Sequence, residues 1–166
     1  GIPYNGKRHP GNTSVQQFFE DPSCGANCEL FALAICHKAG FYVEQKRSIE
    51  LWHDTKFTVE VRAASYEPYD FFLFLPKGSD PHKLMEELRS FKEFPENDIN
   101  ELKRFHQAVY LGASDGNYKN GLFLHLPKPG PSCIWRFEDF ARSDKEYWLF
   151  KVKRPFRLRP QELSPR

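Results

Sequence analysis

The sequence predicts a single α+β domain that spans residues 1–166. An apolar helical segment lies near the N-terminus, a run of strand-like segments follows it, and no strand-helix-strand alternation connects them. The length of 166 residues suits one domain with a substantial core. Hydrophobic residues make up 40% of the chain and include 16 phenylalanines, so we expect a core rich in aromatic rings.

The first part of the chain is predicted to contain one buried helix. Residues 1–23 are polar and rich in Gly, Pro and Asn, which indicates an extended N-terminal arm. Residues 28–39 are mostly apolar, which is typical of a buried helix, and Gly40 is a natural residue to end it. We expect the compact core to cover residues 24–155 and a basic, proline-containing tail to cover residues 156–166.

The rest of the chain is predicted to form a sheet with one helical insertion. Residues 57–64 alternate apolar and polar side chains, and residues 69–75 form a short apolar run, so both indicate strands. Residues 81–92 have their apolar side chains on one helical face, and residues 97–105 indicate a second helix, so the insertion lies around residues 80–105. Four further strands are expected at residues 107–111, 122–126, 133–137 and 147–152.

The charge balance argues against a dedicated nucleic-acid-binding surface. The chain has 24 basic and 22 acidic residues, whereas such surfaces carry a strong basic excess. No apolar run is long enough to cross a membrane and no signal peptide is visible, so we expect a soluble protein without a membrane span. Basic residues near the C-terminus predict a solvated tail or edge strand. They are Lys151, Lys153, Arg154, Arg157 and Arg159.

The four cysteines do not follow a metal-binding pattern. The spacing of Cys24 and Cys28 could begin a metal site, but no second Cys or His pair follows at ligand spacing. We therefore predict neither a metal nor an organic cofactor. A disulfide between Cys24 and Cys133 is left open by the sequence.

Cys28 has the position of a reactive thiol, because it follows a turn and begins the predicted helix. A helix N-terminus and a nearby imidazole both lower the pKa of a thiol, and the N–H groups of the first helical turn can stabilise an oxyanion. His106 begins one predicted strand and His125 lies on the next. If these strands pair, the two rings can face each other, so that His125 orients His106. Asp139 is an alternative orienting group. Cys28 could equally be an ordinary buried thiol.

These motifs, in this order, resemble the NlpC-type cell-wall peptidases, a branch of the papain-like cysteine hydrolases. Cys28 begins the helix, the Pro68-Tyr69-Asp70 segment precedes an apolar strand, the segment of residues 106–112 resembles His-x-Gly-Ile-Tyr-x-Gly, and His125 follows an apolar pair. The resemblance implies a papain-like fold, in which the cysteine helix packs on an antiparallel sheet.

The resemblance also implies a function, namely cleavage of an amide bond in a peptide or protein substrate through an acyl-enzyme. In that family pattern Cys28 is the nucleophile, His106 the base and His125 the third polar group. Asn27 and Asp70 are the expected support for the site and its oxyanion.

The sequence departs from the family pattern around the nucleophile. The family has Ser-Gly after the cysteine, where this chain has Glu29-Leu30. The segments Asn27-Cys28-Glu29 and His125-Leu126-Pro127 are closer to the lecithin-retinol-acyltransferase-like branch, whose histidine precedes its cysteine in the chain. A lipid or protein acyltransferase, or a degraded enzyme that only binds a partner, are therefore alternatives.

A second resemblance points to a binding module. Residues 57–143 resemble an extended Tudor domain, with aromatic residues at Phe71-Phe72 and Tyr118 and a final Phe-x-Asp-aromatic motif at residues 137–141, where Ala141 replaces the usual Gly. Such a domain binds methylated arginine in an aromatic cage and catalyses nothing. This interpretation leaves residues 1–50 without a role.

Overall fold

The protein is an α+β domain built on one open sheet. The structure, a computed structural model, describes residues 1–42, 44, 46–76, 78–90, 105–142 and 147–156. Six strands form an antiparallel sheet, and short helices lie on both of its faces. The predicted α+β class is therefore confirmed.

The described helices are short, and α2 is the longest of them. They are α1 (Val15–Glu20), α2 (Cys28–Lys38), α3 (Ser48–His53), α4 (Pro81–Ser90) and α5 (Phe137–Arg142), with single 3-10 turns at Pro22–Cys24, Ala63–Ser65 and Tyr118–Asn120. None of the helices in the described ranges is long and apolar enough to span a membrane.

The strands lie in the order β1-β6-β2-β3-β4-β5, and every neighbouring pair is antiparallel. Their register brings distant segments together at one end of the sheet, where Ala108 lies opposite His125 and His125 lies opposite Cys133. The strands are β1 (Thr58–Glu60), β2 (Phe71–Pro76), β3 (His106–Gly112), β4 (Leu122–His125), β5 (Cys133–Arg136) and β6 (Tyr147–Pro155).

The two faces of the sheet bury different clusters. One face packs against α2, and its cluster includes Leu33, Leu73 and Val109. The other face is almost entirely aromatic, and Phe74 and Phe140 stack there with ring centroids 4.4 Å apart. Because successive strand residues point to opposite faces, β2, β3 and β4 contribute to both clusters.

The N-terminal residues are more ordered than the predicted extended arm. Helix α1 buries Val15 and Phe18, and Ser14 and Gln17 form a capping box at its start. His9 is fully buried. The prediction missed this helix because two apolar residues at helical spacing are a weak periodic signal in a polar segment.

The basic residues at the C-terminal end of the described chain do not form a solvated tail. Lys153 is buried in β6, and its ammonium donates to the carbonyl of Asp54 over 2.5 Å. Arg154 pairs with Asp70. Strand β6 lies between β1 and β2, so it is not an edge strand. The predicted helix of residues 97–105 lies outside the described ranges except for residue 105. The predicted tail of residues 156–166 lies outside them except for residue 156.

Candidate active site

Two histidines meet on neighbouring strands. His106 Nε2 and His125 Nδ1 are 2.8 Å apart, within hydrogen-bond distance, and the two rings are nearly perpendicular, at 86°. Both side chains are buried, with 6% and 1% exposure. Pairing of β3 with β4 produces this contact. Ala108 lies opposite His125, and His106 lies two residues before Ala108, so its side chain points to the same face of the sheet.

Aromatic rings surround the histidine pair. Phe140 of α5 contacts both rings, Phe74 stacks near His106, and the Trp135 ring centroid lies 4.2 Å from that of His125. This burial lowers the pKa of His125 to about 3. His125 is therefore a neutral imidazole near neutral pH, so it can hold a neighbour by hydrogen bonding without adding a charge.

Cys28 is the first residue of α2, as predicted, and its side chain is buried. The preceding residue, Asn27, caps the helix, because its Oδ1 accepts a hydrogen bond from the N–H of Leu30 over 2.9 Å. A thiol at this position lies at the positive end of the helix dipole, which favours the thiolate.

Hydrogen bonds determine which end of β3 lies beside the start of α2. The N–H of Ser48 donates to the Glu29 carboxylate, and the Ser48 hydroxyl donates to Gln107 Oε1 over 3.2 Å. Glu29 follows Cys28 in α2, and Gln107 follows His106 in β3. The first residues of the two elements therefore lie at the same end of the helix–sheet pair.

The opposite ends of α2 and β3 are also joined. The Cys36 thiol donates to the carbonyl of Tyr69 over 3.6 Å, and the N–H of Tyr69 donates to the carbonyl of Tyr110. About 12 Å of helix separates Cys28 from Cys36, and about 14 Å of strand separates His106 from Tyr110. Because these lengths match, α2 runs parallel to β3, with the two starts at one end and the two later residues at the other.

A third residue, Cys133, contacts the histidine pair, although it was not among the predicted site residues. Its Sγ lies 3.4 Å from His125 Nε2, so that His125 contacts His106 through one ring nitrogen and Cys133 through the other. Burial raises the pKa of the Cys133 thiol. The available signal was the turn of residues 127–131, because a hairpin there brings the residues on either side of it together.

The predicted supporting residues have other roles. Asn27 supports the site as a helix cap, but its amide Nδ2 donates to Glu29 over 2.9 Å, which does not suit a donor to an oxyanion. Asp70 lies at the far end of β3 from His106, because its carbonyl accepts the N–H of Tyr110. Its carboxylate forms an ion pair with Arg154, so the structure does not bring Asp70 beside the two histidines.

Asp139, predicted as an alternative orienting group, bonds to the backbone of its own segment. Its Oδ2 accepts the N–H of Arg136 over 2.7 Å at the exposed start of α5. The position beside His106 is held by His125.

All four cysteines are free thiols. Cys24 is exposed and donates to Asp21 Oδ2 over 2.9 Å, whereas Cys133 faces His125, so the disulfide that the sequence left open between them does not form. Among the described residues, no group of three or more His, Cys, Asp or Glu side chains has an arrangement that could hold a metal ion.

The aromatic residues of the Tudor-like interpretation do not form an open cage. Phe140 has 1% exposure and lies in the core against the two histidines. Tyr118 contacts Tyr66 and Phe137 with ring centroids 5.2 and 5.0 Å away. Rings packed against each other leave no space for a methylated guanidinium between them.

Comparison with known protein families, with curated proteins and with solved structures found no match.

Proposed function

We propose that this protein is a cysteine hydrolase that cleaves an amide bond in a peptide or protein substrate, with Cys28 as nucleophile, His106 as base and His125 as orienting group. The observation that supports this most directly is the buried hydrogen bond between the two imidazoles. Because Nε2 of His106 faces His125, the other ring nitrogen of His106, Nδ1, accepts the catalytic proton. In a nucleophile–base–orienter triad, too, one nitrogen of the base bonds to the orienting group and the other exchanges the proton.

The reaction proceeds through two proton transfers by the same histidine. Nδ1 of His106 takes the thiol proton of Cys28, and the thiolate attacks the amide carbonyl carbon. His106 then gives that proton to the leaving amine, which departs and leaves a thioester on Cys28. His106 next takes a proton from water, hydroxide attacks the thioester, and the proton returns to the sulfur as the acid is released.

The helix start contributes to both charges in this reaction. It favours the thiolate before attack, and a backbone N–H of the first turn stabilises the oxyanion that follows. The N–H groups of Leu30 and Phe31 bond to the side chain and carbonyl of Asn27, so we do not assign the oxyanion to them.

The nucleophile and base meet at the start of β3 in this proposal. The body of α2 covers the face that holds Val109, whereas the His106 ring lies among Phe74 and Phe140 on the other face. Cys28 and His106 are each the first residue of their element, and their neighbours Glu29 and Gln107 are linked through one serine. The proposal therefore requires the sulfur to reach the ring around the end of the strand.

Cys133 also contacts the histidine pair, but its surroundings do not favour a nucleophile. It begins a strand rather than a helix, so no helix dipole stabilises its thiolate, and burial raises the pKa of its thiol. The proposal therefore assigns attack to Cys28.

Selective alkylation tests the proposal. The protein is treated briefly with iodoacetamide near neutral pH, and the label on each cysteine is quantified by peptide mass spectrometry. We expect Cys28 to react first despite its burial, and His106→Ala to slow its reaction about 10²-fold or more. His82→Ala, on the exposed surface of α4, is the control and should leave the rate unchanged.

The same variants are assayed with short peptide anilides, where an acyl-enzyme releases about one equivalent of anilide per protein in a rapid first phase. Cys28→Ser and His106→Ala should abolish this phase. The proposal is wrong if Cys28 is labelled no faster than Cys36, or if His106→Ala leaves the labelling of Cys28 unchanged.

A further inference from the structure

Cys133, His125 and His106 form a continuous line of hydrogen-bonding groups across three strands. The distances are 3.4 Å from Cys133 Sγ to His125 Nε2 and 2.8 Å from His125 Nδ1 to His106 Nε2. Because burial keeps His125 neutral, its ring carries a single proton, on one nitrogen or the other. The position of that proton is therefore coupled to the hydrogen bonds on both sides.

Only two arrangements satisfy both contacts. In the first, the Cys133 thiol donates to Nε2 of His125, whose Nδ1–H donates to Nε2 of His106; a neutral His106 then has its proton on Nδ1. In the second, Nε2–H of His125 donates to the sulfur of Cys133, and Nδ1 of His125 accepts from Nε2–H of His106. The Nδ1 atom of a neutral His106 is then able to accept a proton.

We propose that Cys133 is a positioning residue whose sulfur accepts the Nε2–H of His125 and so holds His106 in the tautomer that can act as a base at Nδ1. This inference rests on the proposed function, because a base at Nδ1 of His106 requires the second arrangement.

The surroundings of His125 leave this role to Cys133. Within the described residues, the titratable groups in contact with its ring are His106 on β3 and Cys133 on β5. The other ring contacts are Trp135 of β5 and Phe140 of α5, which carry no titratable group. Without the sulfur, a proton on Nε2 would be a buried donor without a partner, which is unfavourable, and the proton would move to Nδ1.

Nitrogen NMR of the imidazole rings tests the inference without any substrate. Long-range proton–nitrogen correlations, recorded near pH 7.5, distinguish a protonated ring nitrogen from an unprotonated one. We expect the wild-type protein to carry the proton of His125 on Nε2 and that of His106 on Nε2. Cys133→Ala should move the proton of His125 to Nδ1, whereas Cys133→Ser, which keeps an acceptor, should retain the wild-type pattern. Cys24→Ala, on the exposed surface, should change neither ring.

The outcomes separate this inference from the proposed function. A proton on Nδ1 of His125 in the wild-type protein overturns the inference even if no variant folds. An unchanged tautomer in a folded Cys133→Ala protein also overturns it. Alkylation of Cys28 reports on the hydrolase proposal independently. If both proposals hold, Cys133→Ala slows the alkylation of Cys28 about tenfold and Cys133→Ser restores it. If the rings show the expected tautomers but Cys28 is unreactive, the hydrolase proposal alone is wrong.

Discussion

Arg154 of β6 holds the buried carboxylate of Asp70, the residue before β2, through two contacts of 2.7 and 2.9 Å. The carboxylate also accepts the N–H of Glu67. Asp70 has 1% exposure, whereas the guanidinium side of the pair is partly open to solvent. This pair joins β6 to the residue that precedes β2, at the end of the sheet away from the histidines.

Arg154→Met should destabilise the protein by about 2–3 kcal/mol, because the Asp70 carboxylate stays buried and loses two charged hydrogen bonds. Urea unfolding measures this as a lower midpoint with an unchanged slope. Arg142→Met is the matched control, since its pair with Glu138 is largely exposed, and it should change stability by less than about 0.5 kcal/mol. Equal losses in the two variants would contradict the structural role of Asp70.

Removal of the helix cap at Asn27 should weaken the start of α2. Asn27→Ala takes away the acceptor of the Leu30 N–H and should cost about 1–2 kcal/mol in the free energy of unfolding. Asn27→Ser retains an acceptor at the cap and should lose less. A loss in Asn27→Ser as large as that in Asn27→Ala would show that contacts other than the cap dominate at this position.

Local sequence patterns predicted the parts of the site that depend on neighbouring strands. The apolar run before Pro76 and the strand-like segments around Tyr110 and Phe123 were enough to locate β2, β3 and β4 within a few residues. Pairing of successive strands then brought His106 and His125 together, because antiparallel neighbours align residues on the same face.

Interactions between distant segments were beyond those patterns. Asp70 and Arg154 are 84 residues apart, and nothing in the local sequence of either shows that β6 would lie beside β2. The contact between Cys133 and His125 depends on the register of a hairpin, where a shift of one residue turns every side chain to the opposite face. The strands were therefore predictable from local patterns, whereas the position of β6 in the sheet and the register of the β4–β5 hairpin were not.

The reactivity of Cys24 should be controlled by Asp21. The hydrogen bond to this carboxylate, followed by its negative charge, raises the pKa of the Cys24 thiol. Asp21→Asn should therefore speed alkylation of Cys24 several-fold near neutral pH, as measured by peptide mass spectrometry. Ser23→Ala removes another hydrogen bond to Asp21 but keeps the carboxylate, so Cys24 should react at the wild-type rate. An unchanged Cys24 rate in Asp21→Asn would refute this assignment.

Stability should depend on pH through His125. Burial lowers the pKa of His125 to about 3, whereas an unfolded histidine titrates near pH ~6.5. Between these values the unfolded state binds a proton that the folded state does not, so stability is complete above the unfolded pKa and falls as the pH decreases. This contribution amounts to about 2–3 kcal/mol between pH ~7 and pH ~4.5.

His125→Phe should remove that part of the pH dependence while keeping an aromatic ring against Trp135 and Phe140. Urea unfolding at both pH values should therefore show a smaller difference for the variant than for the wild-type protein. Ile49→Val, on the other face of the sheet, should lower stability by about 1 kcal/mol at both pH values without changing the difference. A His125→Phe protein with the full wild-type pH dependence would mean that His125 also binds a proton in the folded state. A protonated ring could not accept the hydrogen bond from His106 that the proposed mechanism requires.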